Sequence, residues 1–207
     1  MSEAFIWDLD GTLLDTYPDI AGAVAAVGRQ FGLATTYEEA LAGCKETTVG
    51  ECLAVMAQAA REPWEDLFAT YKALEKDFPS PPALARAREC LEELKAMGCR
   101  HFVFTHKGPS SHAILAELGL APFFEEVVTS EYGLPRKPDP AALNYLVDKY
   151  ALDRAHTWYV GDRDLDAQCA KRAGLRTVLL TGPYLTEKPD LFIDSLEELP
   201  GKIGNCL

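Results

Sequence analysis

Positive charge is what this chain of 207 residues is short of: 20 lysines and arginines stand against 32 aspartates and glutamates, a formal net charge of −12. Nucleic-acid backbones and anionic membrane surfaces are held by basic faces. No basic cluster interrupts the deficit, so neither a nucleic acid nor a membrane is expected as a partner. Long apolar runs are missing too. None approaches the ~18 to 20 consecutive apolar residues that span a bilayer. The first fifteen residues carry acids in place of a positive region leading to a small-residue cleavage site. A soluble, cytoplasmic protein is expected. The six cysteines, at 44, 52, 90, 99, 169 and 206, form no C-x-x-C pair and fall at no zinc spacing with the four histidines. They read as free thiols in a reducing compartment. Internal repeats and low-complexity tracts are absent as well.

What is present is a chain that folds. Hydrophobic residues make up 48% of it, enough for a proper core in one domain of moderate size, or in a core domain carrying a substantial insertion. The acidic balance leaves room for a small phosphorylated substrate, because a divalent cation and two or three placed lysines invert the field locally.

Near the N-terminus, Phe5-Ile6-Trp7 is short, β-branched and aromatic and ends on Asp8-Leu9-Asp10-Gly11. The run fits a buried strand and Asp10-Gly11 a turn that stops it. A strand therefore delivers two carboxylates, Asp8 and Asp10, to its own C-terminal end. On their own they read first as turn and helix N-cap residues and only second as a site.

The chain then turns helical. Pro18 opens a helix in which Ile20, Val24, Val27 and Phe31 repeat at three- and four-residue spacing until Gly32. Thr36-Tyr37-Glu38-Glu39 and Thr48-Val49-Gly50-Glu51 both fit capping boxes, and Trp64, Phe68, Tyr71, Leu74 and Phe78 mark one face of a further helix. Those aromatics read as core, and Tyr17 and the polar stretch Lys45-Glu46-Thr47-Thr48 as solvent-facing or substrate-facing. Phe78-Pro79-Ser80-Pro81-Pro82 is a stiff linker.

From residue 83 onward helices and short apolar strands alternate. Helices are expected over 83–97, 111–118, 141–150 and 166–172, with strands over 101–105, 127–130, 157–160, 177–180 and 191–193. This rhythm implies an α/β fold: a Rossmann-like parallel sheet with helices on both faces, plus a small all-helical insertion after the first strand. Residues 1–15 and 81–207 form the core, residues 16–80 the insertion. In such sheets the ligand site lies beyond the carboxyl ends of the strands. Those ends carry Asp8, Thr105, Thr129-Ser130 and Asp162.

Four segments stand out: Asp8-Leu9-Asp10-Gly11-Thr12, Thr105-His106-Lys107-Gly108, Lys137-Pro138-Asp139-Pro140 and Gly161-Asp162-Arg163-Asp164-Leu165-Asp166. In order, spacing and context they resemble the four motifs of the haloacid dehalogenase superfamily of phosphohydrolases, over essentially the whole chain. The helical insertion resembles the cap of its phosphoglycolate-phosphatase-like branch.

The resemblance implies an Mg²⁺-dependent phosphatase acting on a small phosphorylated metabolite. Asp8 would attack phosphorus and become an aspartyl-phosphate. Asp10 would be general acid and base; dehalogenase relatives characteristically lack that second aspartate, so Asp10 favours phosphoryl chemistry. Thr105, with the backbone N–H groups after it, would bind phosphate. His106, standing where this branch often has Asn, is placed with it. Lys137, in a loop restricted by Pro135, Pro138 and Pro140, would neutralise nucleophile and phosphate. Asp8, Asp162 and the backbone carbonyl of Asp10 would hold the Mg²⁺. Asp166 either orients that shell or is a helix N-terminal acid favoured by the dipole. Asp164 is expected to be solvated, and Arg136 to be a surface or substrate contact.

A β-phosphoglucomutase-like reaction is the alternative, although that branch's cap-hinge histidine has no counterpart in Asp15-Thr16-Tyr17-Pro18-Asp19-Ile20. A phospho-acceptor module without turnover is the other; loss of Asp10, Lys137 or Asp162 would favour it, and all three are present. Nothing in the sequence sets an oligomeric state.

Overall fold

The computed structural model describes residues 3–204. Cys206, counted above among the free thiols, lies outside them, and none of the five described cysteines is in a disulfide. The chain divides into two compact units, Met1–Asp15 with Pro82–Leu207, and Thr16–Pro81.

The first unit is built on a six-stranded parallel sheet. Its strands are β1 (Ala4–Trp7), β2 (Arg100–Phe104), β3 (Glu126–Val128), β4 (Thr157–Gly161), β5 (Arg176–Leu180) and β6 (Leu191–Ile193). They stand in the order β3-β2-β1-β4-β5-β6. Every residue of β1 is buried, which explains why it reads as an unbroken apolar run rather than an alternating one. Period-two geometry still sorts its side chains. Phe5 and Trp7 join a core with Leu91 and Leu94 of α5 (Ala87–Ala96), Leu115 of α6 (Ser110–Glu117), and Leu199 and Ile203 of α9 (Glu198–Gly204). Ala4 and Ile6 join a second core with Leu143 and Leu146 of α7 (Ala141–Tyr150), and Cys169 and Ala170 of α8 (Asp164–Ala173). The sheet is thus covered on both sides.

Both tryptophans in these strands satisfy their indole N–H groups. Trp7 Nε1 donates to His101 Nδ1 at 3.1 Å. Trp158 Nε1 donates to Glu3 Oε2 at 2.6 Å.

Strand order reverses at β1. From β1 the chain steps outward to β2 and β3, then returns to place β4 on the other flank, with Trp7 level with Val103 on one side and Val160 on the other. A crevice opens beyond the strand ends at such a reversal, which is where ligands bind in open α/β sheets. Asp8 and Asp162 follow the two strands that meet there.

Several boundaries differ from the expectation, each for a local reason. The helix expected from residue 83 starts at Ala87, because Leu84 N–H donates to Leu13 O at 2.8 Å and Ala83 bridges to Leu14. The strand expected over 127–130 is Glu126–Val128, after which Ser130–Tyr132 coil into a short 3₁₀ turn capped by the Thr129 hydroxyl. Helix α9 was not anticipated: Pro200, Gly201 and Gly204 argue against a helix, yet Leu199 and Ile203 are fully buried.

The second unit is all helical among its described residues: α1 (Tyr17–Gln30), α2 (Tyr37–Glu46), α3 (Val49–Ala60) and α4 (Trp64–Glu75). Val24, Val27, Leu53, Leu67 and Tyr71 form its core. Both expected capping boxes close. Thr36 Oγ1 accepts from Glu39 N–H at 3.1 Å while Thr36 N–H donates to the Glu39 carboxylate at 2.9 Å. Thr48 and Glu51 do the same at 3.2 and 3.0 Å. Trp64 is the exception to the expected core face. It remains 37% exposed, stacked on Phe68 with ring centroids 4.6 Å apart, and its indole N–H donates to Gly50 O.

Candidate active site

The turn after β1 is locked through its backbone. Thr12, Leu13 and Leu14 N–H groups all donate to Leu9 O, and Gly11 N–H donates to Leu14 O. Gly11 sits at φ +82°, a left-handed conformation that glycine adopts without steric cost. Asp8 extends the ladder by one bond, its N–H donating to Val160 O at 2.9 Å. Its carboxylate is buried at the sheet's end, whereas Asp10 is half-buried.

Lys137 meets Asp8 there. Its Nζ lies 2.7 Å from Asp8 Oδ1 and 2.8 Å from Asp166 Oδ1. It also lies 5.1 Å from the Phe104 ring centroid and 5.2 Å from that of Tyr159, so two aromatic faces assist the carboxylates in replacing its hydration. A loop lysine is ordinarily solvated; this one is buried. Burial opposes its charge, but Asp166 and Asp8 outweigh that and hold its pKa above the ordinary lysine value.

Asp166 uses both oxygens within the fold. Oδ1 accepts from Lys137 Nζ and from the Tyr159 hydroxyl at 3.3 Å. Oδ2 accepts from Asp162 N–H at 3.2 Å and Arg163 N–H at 3.1 Å. It braces the turn that presents Asp162 while fixing Lys137. Burial works to raise its pKa, yet Lys137, Arg163 and these hydrogen bonds keep it below the usual carboxylate value. Asp8 is the opposite case. Burial pushes it up to about 6, repulsion from Asp166 adds to this, and Lys137 compensates only partly. Gly161 permits the packing: a Cβ there would stand 2.4 Å from the Asp166 carboxyl carbon.

Thr105 follows β2, buried, with its N–H on Val128 O. Its Oγ1 accepts from Lys107 N–H at 3.0 Å. His106 does not use its ring as a cation. Nε2 accepts from Lys137 N–H at 2.9 Å, and burial, followed by the nearby charges of Lys137, Arg136 and Arg163, pushes its pKa down to about 3. The imidazole therefore steadies the Lys137 loop. Arg136 is exposed.

Three residues gain partners that sequence reasoning missed. Lys107 Nζ lies 3.1 Å from Asp10 Oδ1. The buried Thr12 hydroxyl approaches Asp162 Oδ1 at 3.5 Å. Asp164, expected to be solvated, instead accepts from Thr186 N–H, the Thr186 hydroxyl and Glu187 N–H, tying the loop after β5 to the start of α8. No local sequence signal announces pairings so distant along the chain.

Asp8, Asp162 and Asp166 each offer a carboxylate oxygen, all within 4.8 Å of one another. Asp8 Oδ2 is buried with no hydrogen-bond partner. An orphaned carboxylate oxygen beside a second carboxylate is costly unless a cation completes it, and an all-oxygen donor set suits a hard divalent ion. The residues present fit such an ion. With Asp166 committed to four donors, Asp8 and Asp162 are the side chains suited to ligate it. The expected contribution of Asp10 is its backbone carbonyl.

Residues 5–180 match the haloacid dehalogenase-like hydrolase family. A phosphoglycolate phosphatase of Vibrio parahaemolyticus is 31% identical, the alignment covering 93% of this chain and 92% of the relative. One of Rhodobacter capsulatus is 32% identical, covering 89% and 86%. Among solved structures, one described as a predicted phosphoglycolate phosphatase from Haemophilus somnus superposes with a TM-score of 0.80 at 27% identity, covering 98% of both chains.

Proposed function

The chain belongs to the haloacid dehalogenase-like hydrolase family, and on that footing we propose that it is a Mg²⁺-dependent phosphatase that hydrolyses a small phosphorylated metabolite through a phospho-Asp8 intermediate. One observation carries the reading: Asp8 has one oxygen pinned by the Lys137 ammonium at 2.7 Å and the other buried without a partner. Asp8 lies in the cluster with the Asp162 and Asp166 carboxylates, where a bound cation would offset the desolvation of that second oxygen.

In the first step Asp8 attacks phosphorus, the bond from phosphorus to the ester oxygen breaks, and the departing oxygen takes its electron pair and a proton from Asp10. In the second, a water attacks phosphorus and gives its proton to Asp10. The bond from phosphorus to Asp8 breaks, and inorganic phosphate leaves with both aspartates restored. Thr105 and Lys137 hold the phosphoryl oxygens, the ammonium offsetting repulsion between the Asp8 carboxylate and an anionic ester. When bound by Asp8, Asp162 and the Asp10 carbonyl, Mg²⁺ supplies Lewis-acid charge neutralisation.

The helical unit Thr16–Pro81 enters the chain directly after the Asp8–Asp10 turn, and we assign it the selection of the leaving group as a cap. The names of the relatives make 2-phosphoglycolate the first substrate to try. A mutase is not favoured: all four histidines lie at residues 101, 106, 112 and 156, outside that unit. The test is phosphate release from 2-phosphoglycolate and a panel of small sugar phosphates with Mg²⁺. Release from at least one supports the reading, and isomerised sugar phosphate without net phosphate release contradicts it.

A further inference from the structure

Asp8 and Asp166 are fixed by a buried lysine, but Asp10 is half-buried and its side chain must be oriented by something at the surface. Lys107 does this from the loop after the neighbouring strand. Its Nζ lies 3.1 Å from Asp10 Oδ1, spanning 97 positions of sequence from the end of β2 to the end of β1. Ion pairs this exposed add little to stability, so the contact is better understood through what it orients.

The lysine is set up for the task by its backbone. Lys107 N–H donates to Thr105 Oγ1 at 3.0 Å, and Lys107 O accepts from Ser130 N–H at 3.1 Å. The next turn is closed as well, Gly108 O accepting from both the N–H and the hydroxyl of Ser111. The same loop that presents Thr105 therefore anchors the stem of Lys107. On the other side, the backbone of Asp10 is held by the Leu9–Leu14 turn, which leaves only side-chain rotation to be restrained. An ammonium on Oδ1 restrains that rotation and reserves Oδ2 for proton exchange.

We infer that Lys107 is a positioning residue for Asp10, holding the carboxyl in the rotamer from which it passes a proton to the departing oxygen. This rests on the reading of Asp10 as general acid. Lys107 itself touches neither phosphorus nor the leaving group in this account.

Leaving-group dependence separates this role from a structural or phosphate-binding one. An alkyl phosphate needs a proton on its departing oxygen, whereas 4-nitrophenyl phosphate expels a stable phenolate without one. kcat/KM reports the step that breaks this bond, so the two esters are compared in wild type, Lys107→Met and Lys107→Arg, with thermal melts to confirm folding. In Lys107→Met, kcat/KM for the alkyl ester is expected to fall about 10-fold or more, a share of the ~10² to 10⁴ that proton transfer supplies. The aryl ester should change by less than about 3-fold, and Lys107→Arg should recover much of the alkyl activity. Equal losses for both esters, or no loss for either, overturn the inference with the phosphatase reading intact. A wild type that cleaves neither ester nor any of the sugar phosphates overturns the reading beneath it.

Discussion

Lys137 Nζ lies 2.8 Å from Asp166 Oδ1, and the two side chains are 1% and 0% exposed. Removing the cation leaves Asp8 and Asp166 as two buried carboxylates facing each other. Breaking a buried pair in this way costs ~3 to 5 kcal/mol. Lys137→Met is therefore expected to lower unfolding stability by about that amount in a urea titration, as well as abolish turnover. A stability within about 1 kcal/mol of wild type would show that the ammonium is not what balances these acids.

Gly161 gives a test of the same cluster from the backbone side. The added methyl of Gly161→Ala falls 2.4 Å from the Asp166 carboxyl carbon, so Asp166 must rotate away from Lys137 and from the Asp162 and Arg163 amides. Misplacement on this scale costs about 10²-fold in rate, against a stability loss of ~1 to 3 kcal/mol for overpacking. Steady-state kinetics beside a melting curve checks both, and unchanged kinetics would remove Asp166 from the positioning of Lys137.

Stability should also carry the signature of His101. Its ring accepts the Trp7 indole N–H, and burial, with a lesser contribution from Lys95 and against the pull of Glu125, pushes its pKa from 6.5 down to about 4. Between those values the unfolded chain binds a proton that the folded chain refuses, so stability falls as pH falls from 6.5 toward 4. The full window is worth on the order of 3 kcal/mol. Asp8, raised to about 6, acts in the opposite sense below that pH. The difference between wild type and His101→Gln isolates the histidine, since Gln still offers the indole an acceptor. Parallel stability curves for the two proteins from pH 7 to pH 4 would contradict the account.

The ion site predicts a linkage effect. Mg²⁺ held at the proposed site in the folded chain alone should raise the melting temperature steadily with the logarithm of its concentration once that exceeds its Kd. Asp162→Asn should abolish that rise, and a chelator should abolish hydrolysis in the wild type. An equal rise in both proteins would place the ion elsewhere.

How much of this was legible in the sequence follows from which interactions are local. The strand ends were, because β1, β2 and β4 are short apolar runs that stop on Asp8, Thr105 and Asp162. The capping boxes were, because each closes within four residues. Long-range pairings were not. Lys107 has no assigned role in the sequence until β2 is laid beside β1. Asp164 reads as a solvated acid until the loop holding Thr186 folds back over it. The start of α5 was misplaced for the same reason, since residues 83–84 are claimed by Leu13 and Leu14 from the far end of the chain. His106 was placed with the phosphate ligands by its neighbourhood, and only the fold reveals that its ring holds the Lys137 amide.

The central claim is that Asp8 becomes phosphorylated during turnover. Acid quenching of the wild-type protein during hydrolysis of an active substrate, followed by mass spectrometry of the peptide carrying Asp8, tests it most directly. The account predicts a mass gain of one phosphoryl group on Asp8 in the wild type, and neither the gain nor phosphate release in Asp8→Asn. Phosphate release undiminished in Asp8→Asn would contradict it.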